Sequence, residues 1–344
     1  MEHLARKFAY LVSMVENNSS LFVDTRKKAN GLFVGSRIDF DHDFDRRIVN
    51  QISPGELVKA AGSSKELSKF ESRFTDWICS HQSSSVIGLE KFQPDYSEGS
   101  TQSFDSFYYR YRDKRFRCFV GEYFYHIKTW QATGTNWCWT DGSDLEPGDA
   151  LVLSLPFCDT VSTVPDLDVL LEMCSEKNIP VLLDLCYYTI SSGVHVNVDH
   201  DCVDTVAFSL SKAWPVSTAR IGMRYTRPSV FDGQKLHSQI GYNNNVGAYL
   251  GNLIIENYSP DWVHTSKQVK YNTICQILNL KPTLSVNFAI GDHRWHRHSR
   301  KILLESYKLN FDPALFVNRI FLNKFYQHWD LFKAVVYHET NTII

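Results

Sequence analysis

Three short segments carry the side chains with the greatest chemical potential. Asp184 closes an apolar run, Val181-Leu182-Leu183, and Tyr187 follows three residues later. Ser209-Leu210-Ser211-Lys212 closes a second run, and Arg220 follows with Ile221-Gly222. A carboxylate placed behind three aliphatic residues is poorly solvated and wants a cationic partner. In open α/β sheets ligands sit just beyond the carboxyl ends of strands, which is where these polar groups fall.

The elements that must position them read as βαβ units. Asp149 to Phe157 is a continuous apolar run suited to a strand buried on both faces. Pro165 to Lys177 reads as an amphipathic helix, Ile179 to Leu185 and Asp204 to Leu210 as further strands, and Ala219 to Tyr225 as a fourth. Strands alternating with a helix imply a mainly parallel sheet. Upstream, Lys59 to His81 carries Leu67, Phe70, Phe74 and Ile78 at helical spacing. Ser103 to Tyr111 reads as a helix after the small-residue turn Ser97-Glu98-Gly99-Ser100-Thr101-Gln102, and Phe116 to Val120 as a strand. The first 50 residues mix a helix-like opening with a polar stretch, Asn17 to Ser20, and an apolar piece, Leu32 to Val34. Helical stretches return from about Asn252 and end in Phe311 to Tyr326.

Composition sets the class. The 344 residues contain 36 Lys+Arg and 38 Asp+Glu, a net charge of −2, so no large basic field points to nucleic acid. Hydrophobic residues at 43% and charged residues at 22% exclude a disordered or fibrous chain. No uncharged apolar run approaches the ~20 residues of a membrane helix, and the amino terminus has no signal-peptide pattern. Eight scattered cysteines without a C-x-x-C pair suit reduced thiols and a cytoplasmic protein. The aromatic fraction of 14% is high and fits either core or a flat-ligand pocket.

Either motif alone arises by chance or as a strand cap, but the ordered set is more specific. Asp184-x-x-Tyr187, Ser209-x-Ser211-Lys212 and Arg220-x-Gly222 together resemble fold type I pyridoxal-phosphate enzymes of the aminotransferase class I/II group. Histidinol-phosphate-aminotransferase-like members are nearest in length and spacing. The resemblance covers roughly Ser97 to Thr226. It implies a large α/β domain with a mixed, mainly parallel sheet between helices, plus a small α/β domain built from both chain ends. The expected boundaries are 1–50 for the amino-terminal part of the small domain, 51–268 for the cofactor domain and 269–344 for the short carboxy-terminal part.

The resemblance also implies roles. Lys212 would form a Schiff base with the aldehyde of pyridoxal 5'-phosphate and move a proton. Asp184 would pair with the pyridine nitrogen and Tyr187 would donate to the ring oxygen. Ser209, Ser211 and Arg220 would hold the phosphate, with Gly99, Ser100 and Thr101 at a helix amino terminus. An aromatic residue should stack on the ring; counting back from Gly134 favours Tyr123, with Phe124 and Tyr125 as alternatives. The family's Asn-Pro-Thr-Gly turn is partly present: Pro156 and Thr160 fit, Cys158 stands where Asn is expected and Val161 where Gly is expected. Relatives borrow a phosphate-binding Tyr from the partner subunit, taken from the region before the phosphate loop. Only Tyr10 and Tyr96 precede Ser97 here. Phe316 to Phe321 resembles the family's strand near the chain end that carries the Arg for the substrate carboxylate, so Arg319 is the candidate.

The expected activity is that of an aminotransferase acting on an amino acid or amine as a homodimer, without membrane or nucleic-acid partners. Decarboxylation, β- or γ-elimination or replacement, and cyclisation are the alternatives within the same cofactor chemistry, and a non-catalytic binding protein of this fold is a further one. The basic stretch His293 to Arg300 reads as a solvated loop or partner contact, with no metal site expected.

Overall fold

The apolar runs that close on polar residues become adjacent strands of one sheet. In the computed structural model, which describes residues 1–18, 42–301 and 315–344, the strands in chain order are β1 (Ser85–Ile87), β2 (Gln93–Ser97), β3 (Arg115–Phe119), β4 (Trp137–Thr140), β5 (Asp149–Ser154), β6 (Val181–Asp184), β7 (His195–Asn197), β8 (Val203–Ser209), β9 (Gly222–Thr226), β10 (Lys281–Pro282), β11 (Phe288–Gly291) and β12 (Asn318–Phe321). Seven of them form a sheet in the order β2-β9-β8-β6-β5-β3-β4. Strands β3, β4, β5, β6 and β8 are parallel, and β9 runs antiparallel to both β8 and β2. The carboxyl ends of β2, β3, β5, β6 and β8 therefore share one edge with the amino end of β9. Every residue of β5, β6, β8 and β9 is buried, as expected for strands covered on both faces.

Around this sheet lie α2 (His42–Arg47), α3 (Pro54–Ala61), α4 (Lys65–Cys79), α5 (Ser100–Arg110), α6 (Phe124–Thr133), α7 (Leu167–Glu176), α8 (Gly233–Ile240) and α9 (Asn245–Asn257). The single helix expected over Lys59 to His81 is two. Gly62 ends α3 and Ser64 starts α4, which then buries Leu67, Phe70, Phe74, Trp77 and Ile78 on one face. A capping box between Ser53 and Glu56 starts α3.

The described residues divide into two compact units, Phe40–His264 and the chain ends Met1–Asp39 with Thr265–Ile344. The second unit contains α1 (Glu2–Asn18), α11 (Asn323–Gln327), α12 (Trp329–Thr340) and most of α10 (Trp262–Leu278). Its sheet, β10-β11-β12, is antiparallel. Phe8 of α1 stacks on Phe325 at 4.8 Å and meets the edge of Phe332 at 5.5 Å. The helical ending expected for Phe311 to Tyr326 is corrected here. Residues 318–321 are a strand, because Ile320 and its neighbours pair with Phe288–Gly291, and α11 begins only at Asn323. The rest of that stretch up to 314, and Leu32 to Val34, lie outside the described residues. No described helix is long and apolar enough to cross a membrane.

Candidate functional site

At one corner of the shared edge, β2 leads through Ser97 and Gly99 into α5. Gly99 has φ +68°, and a Cβ there would collide with the Arg220 guanidinium. That guanidinium donates through Nη2 to the Glu98 carbonyl at 3.0 Å and to Thr101 Oγ1 at 2.8 Å. Arg220 itself is in the left-handed region, at φ +54°, which a non-glycine residue adopts only when its surroundings impose it. Those surroundings are visible. The Tyr96 hydroxyl donates to the Arg220 carbonyl at 3.0 Å, and Asn244 Nδ2 donates to the Ala219 carbonyl at 2.8 Å. Asn244 also caps α9, accepting from Gly247 N–H at 2.7 Å. Gly222 completes the corner: a Cβ there would lie 2.6 Å from the Phe208 carbonyl oxygen.

The next strand ends supply the remaining groups. Ser209 Oγ accepts from Ser211 N–H at 3.2 Å, and the two hydroxyls lie 2.8 Å apart. Asp184 is 6% exposed and accepts the Cys186 N–H at 3.0 Å. Burial raises its carboxyl above the ordinary carboxylate range, opposed by the Cys186 hydrogen bonds and by the positive charge of Lys212. The Cys158 sulfur lies 4.0 Å from the Tyr187 hydroxyl oxygen.

Beyond β3, the turn into α6 carries Glu122 and Tyr123. Burial pushes the Tyr123 phenol up, and its ring meets His126 edge-on at 5.8 Å. Glu122 is 1% exposed, and burial, partly offset by bonds from Ser154 and Tyr123, pushes its carboxyl up to about 7.

Ten of the twelve candidate cofactor- and substrate-site residues line one pocket: Ser100, Thr101, Tyr123, Cys158, Asp184, Tyr187, Ser209, Ser211, Lys212 and Arg220. Ser154, Pro156 and Cys186 complete its wall, around about 540 Å³ of space partly open to solvent. Gly99 acts from behind Arg220. Arg319 belongs to the other unit, where it is buried in β12 with its guanidinium 4.6 Å from the Phe288 ring centre. Phe124 and Tyr125 are not among the lining residues. Tyr96, considered as a partner-subunit phosphate ligand, is fully buried and spends its hydroxyl on Arg220 of its own chain. Ser154 and Glu122 were not singled out from the sequence. The available signal was a carboxylate directly before Tyr123, just beyond an apolar strand. In the basic stretch, Arg294 is paired with Asp292 and Trp295 is buried. No described cluster of His, Cys, Asp and Glu could hold a metal ion.

The donor set fits a phosphorylated pyridine aldehyde. Arg220 with Thr101, Ser209, Ser211 and the start of the 11-residue helix α5 offers a cation, hydroxyls and N–H groups suited to a phosphate. Asp184 offers a carboxylate for a protonated ring nitrogen, Tyr187 a hydroxyl and Lys212 an amine.

Residues 158–268 match the family model described as aminotransferase class I and II. No curated protein matches the chain by sequence. Solved structures match it in fold. The N-succinyldiaminopimelate aminotransferase of Mycobacterium tuberculosis is 12% identical, with a TM-score of 0.63 over 91% of this chain and 93% of that one. The aminotransferase AspB of Helicobacter pylori is 13% identical, with a TM-score of 0.61 over 90% and 93%. A pyridoxal-phosphate-bound C-S lyase of Staphylococcus hominis is 12% identical, with a TM-score of 0.58 over 91% of each chain.

Proposed function

We infer that this chain, which has the fold type I architecture and an aminotransferase class I and II segment over residues 158–268, is a pyridoxal-phosphate-dependent aminotransferase acting on an amino acid or amine. The observation that carries the reading is the convergence of Lys212, Asp184 and Tyr187 with the phosphate-type set Thr101, Ser209, Ser211 and Arg220 in one pocket.

When bound, pyridoxal 5'-phosphate withdraws electrons from the α-carbon of an attached amine, so that a bond at that carbon becomes labile. The chain's own residues do the rest. Lys212 would supply the amine for the aldehyde carbon and the base that moves a proton at the α-carbon. Asp184 keeps the ring nitrogen protonated, its charge made costly by burial and matched by that nitrogen. Tyr187 would donate its hydroxyl to the ring oxygen, Tyr123 would offer its ring for stacking, and Arg220 with its hydroxyl neighbours would hold the phosphate. Gly99 and Ser100 let backbone N–H groups approach. Arg319 is the residue we assign to the substrate carboxylate, and the unit formed by the chain ends is the small domain.

A second reading, other chemistry at the same α-carbon, is favoured by Cys158. A thiol is a weaker donor than the amide expected there, so the ring oxygen relies more on Tyr187. We place the enzyme in the cytoplasm as a homodimer. That none of the eight cysteines is paired in a disulfide supports that compartment, and the family resemblance supports the dimer.

The test is direct. Full-length protein loaded with the cofactor should show a visible absorbance band abolished by borohydride, and an amino-acid donor panel should yield keto acid. Lys212→Ala should cut turnover by about 10²–10⁴-fold while retaining cofactor binding. Full activity in that variant overturns the assignment, and carbon dioxide or thiol release without keto acid moves the reaction to the second reading. Light scattering should return twice the 39.7 kDa chain mass.

A further inference from the structure

Glu122 is a buried carboxyl beside this pocket to which the reaction gives no task. Its two oxygens take three donors from two different turns. Oε1 accepts the Tyr123 N–H at 2.8 Å and the Ser154 hydroxyl, and Oε2 accepts the Ser154 N–H at 2.8 Å. Ser154 Oγ in turn accepts the Cys158 N–H at 2.8 Å. One side chain thus fastens the backbone under Tyr123, in the β3–α6 turn, to the backbone under Cys158, beyond β5. Tyr123, Ser154 and Cys158 all line the pocket.

Packing alone does not account for a carboxyl here. A buried charge is expensive, and a glutamine would fill the same volume without one. Glutamine fails on hydrogen bonding instead. It has a single acceptor oxygen, and its amide would point two N–H donors at a site already holding three donors. A carboxylate is the group that satisfies all three. The ionisable neighbours are Asp184 at the end of β6, whose negative charge raises Glu122 further, and Cys118 in β3, a thiol raised mainly by burial and also by Glu122.

We propose that Glu122 is a positioning residue for the reaction, acting through Ser154 to hold the turns of Tyr123 and Cys158 in the geometry that receives the cofactor. This rests on the reading of the pocket as a pyridoxal-phosphate site.

The test compares the full-length chain with Glu122→Gln, Glu122→Asp and Ser154→Ala. Cofactor affinity is measured by quenching of intrinsic fluorescence, melting temperature without cofactor, and kcat and KM with an amino donor. Glu122→Gln should weaken pyridoxal-phosphate binding roughly 10- to 100-fold, the size expected when hydrogen bonds to a charged group are lost. It should lower kcat more than it raises the donor KM. Ser154→Ala should shift the same quantities in the same direction, and Glu122→Asp should recover part of the affinity. Should Glu122→Gln fail to fold, Ser154→Ala alone decides, because it removes the hydroxyl that links Glu122 to Cys158. Affinity and kcat within about twofold of the unaltered chain in these variants, whatever the melting temperature, overturn the proposal. An unaltered chain that binds no cofactor overturns the functional reading and takes this inference with it.

Discussion

Glu122 and Asp184 are both buried and both raised by that burial, yet their partners differ. Asp184 lines the pocket near the charge of Lys212, whereas Glu122 is turned onto neutral donors. The difference gives Glu122 a signature in stability. Its carboxyl titrates near 7 in the folded chain against 4.5 in its reference state. Below pH 4.5 both folded and unfolded chains hold the proton and no stability is lost. As pH rises from 4.5 to 7 the unfolded chain releases it more readily, so the folded state loses ground, and the loss is complete above 7. At 1.36 kcal/mol per unit the total is about 3 kcal/mol. Glu122→Gln should lack this component, so its melting temperature should gain on that of the unaltered chain between pH 5 and 8. Comparing the two proteins is essential, because Asp232, held down to about 2 chiefly by Arg224 against its burial, acts in the opposite sense and only in acid. Parallel pH curves for the two proteins would rule out the raised carboxyl.

Strand ends rather than whole strands build the pocket, and the most constrained end is the turn before β9. Arg220 holds a left-handed backbone there because Tyr96 and Asn244 occupy the carbonyls of residues 220 and 219. Tyr96→Phe removes one of those bonds without altering the ring that packs on Phe70 at 5.9 Å. Losing one neutral hydrogen bond should weaken pyridoxal-phosphate binding about two- to tenfold, with the melting temperature little changed. Unaltered affinity would show that Arg220 needs no help from β2. This dependence was not readable from sequence, since Tyr96 sits in Gln93-Pro94-Asp95-Tyr96-Ser97, whose polar residues mask a strand. Strand β4, Trp137-Cys138-Trp139-Thr140, half-buried until Thr140, was also not read from the sequence. By contrast β5, β6 and β8 were legible because two-sided burial leaves continuous apolar runs, and their ends carried the site residues with them. The turn at Gly62 was missed, while the strand at Asn318–Phe321 was legible only through the family resemblance of Phe316 to Phe321.

The molecule separates its chemistry from its scaffolding along the sheet. Cations that serve the pocket stand at the carboxyl edge, while the amino ends of β3 and β5 carry a buried ion cluster. Arg117, 1% exposed, donates to Asp149 at 2.8 Å, to Asp144 and to the Trp139 carbonyl at 3.0 Å, and Arg115 adds a bond to Asp149 at 2.6 Å. These pairings hold Asp149 below the ordinary carboxylate range despite its burial. Much of the aromatic excess is structural too. Tyr108, Phe116, His126 and Trp130 pack ring to ring, with Phe116 stacked on Trp130 at 5.3 Å. If the two edges are energetically independent, damage to the ion cluster should cost stability and spare the site. Asp149→Ala strands Arg117 in the interior with Asp144 as its remaining carboxylate, a loss of about 3 kcal/mol. For a unit of this size that lowers the melting temperature by roughly 6–12 °C. Cofactor affinity and kcat at 25 °C should stay within about twofold of the unaltered chain. A parallel loss of affinity would show instead that the amino ends of β3 and β5 transmit strain along the strands to Tyr123 and Ser154, and that stability and catalysis share one network.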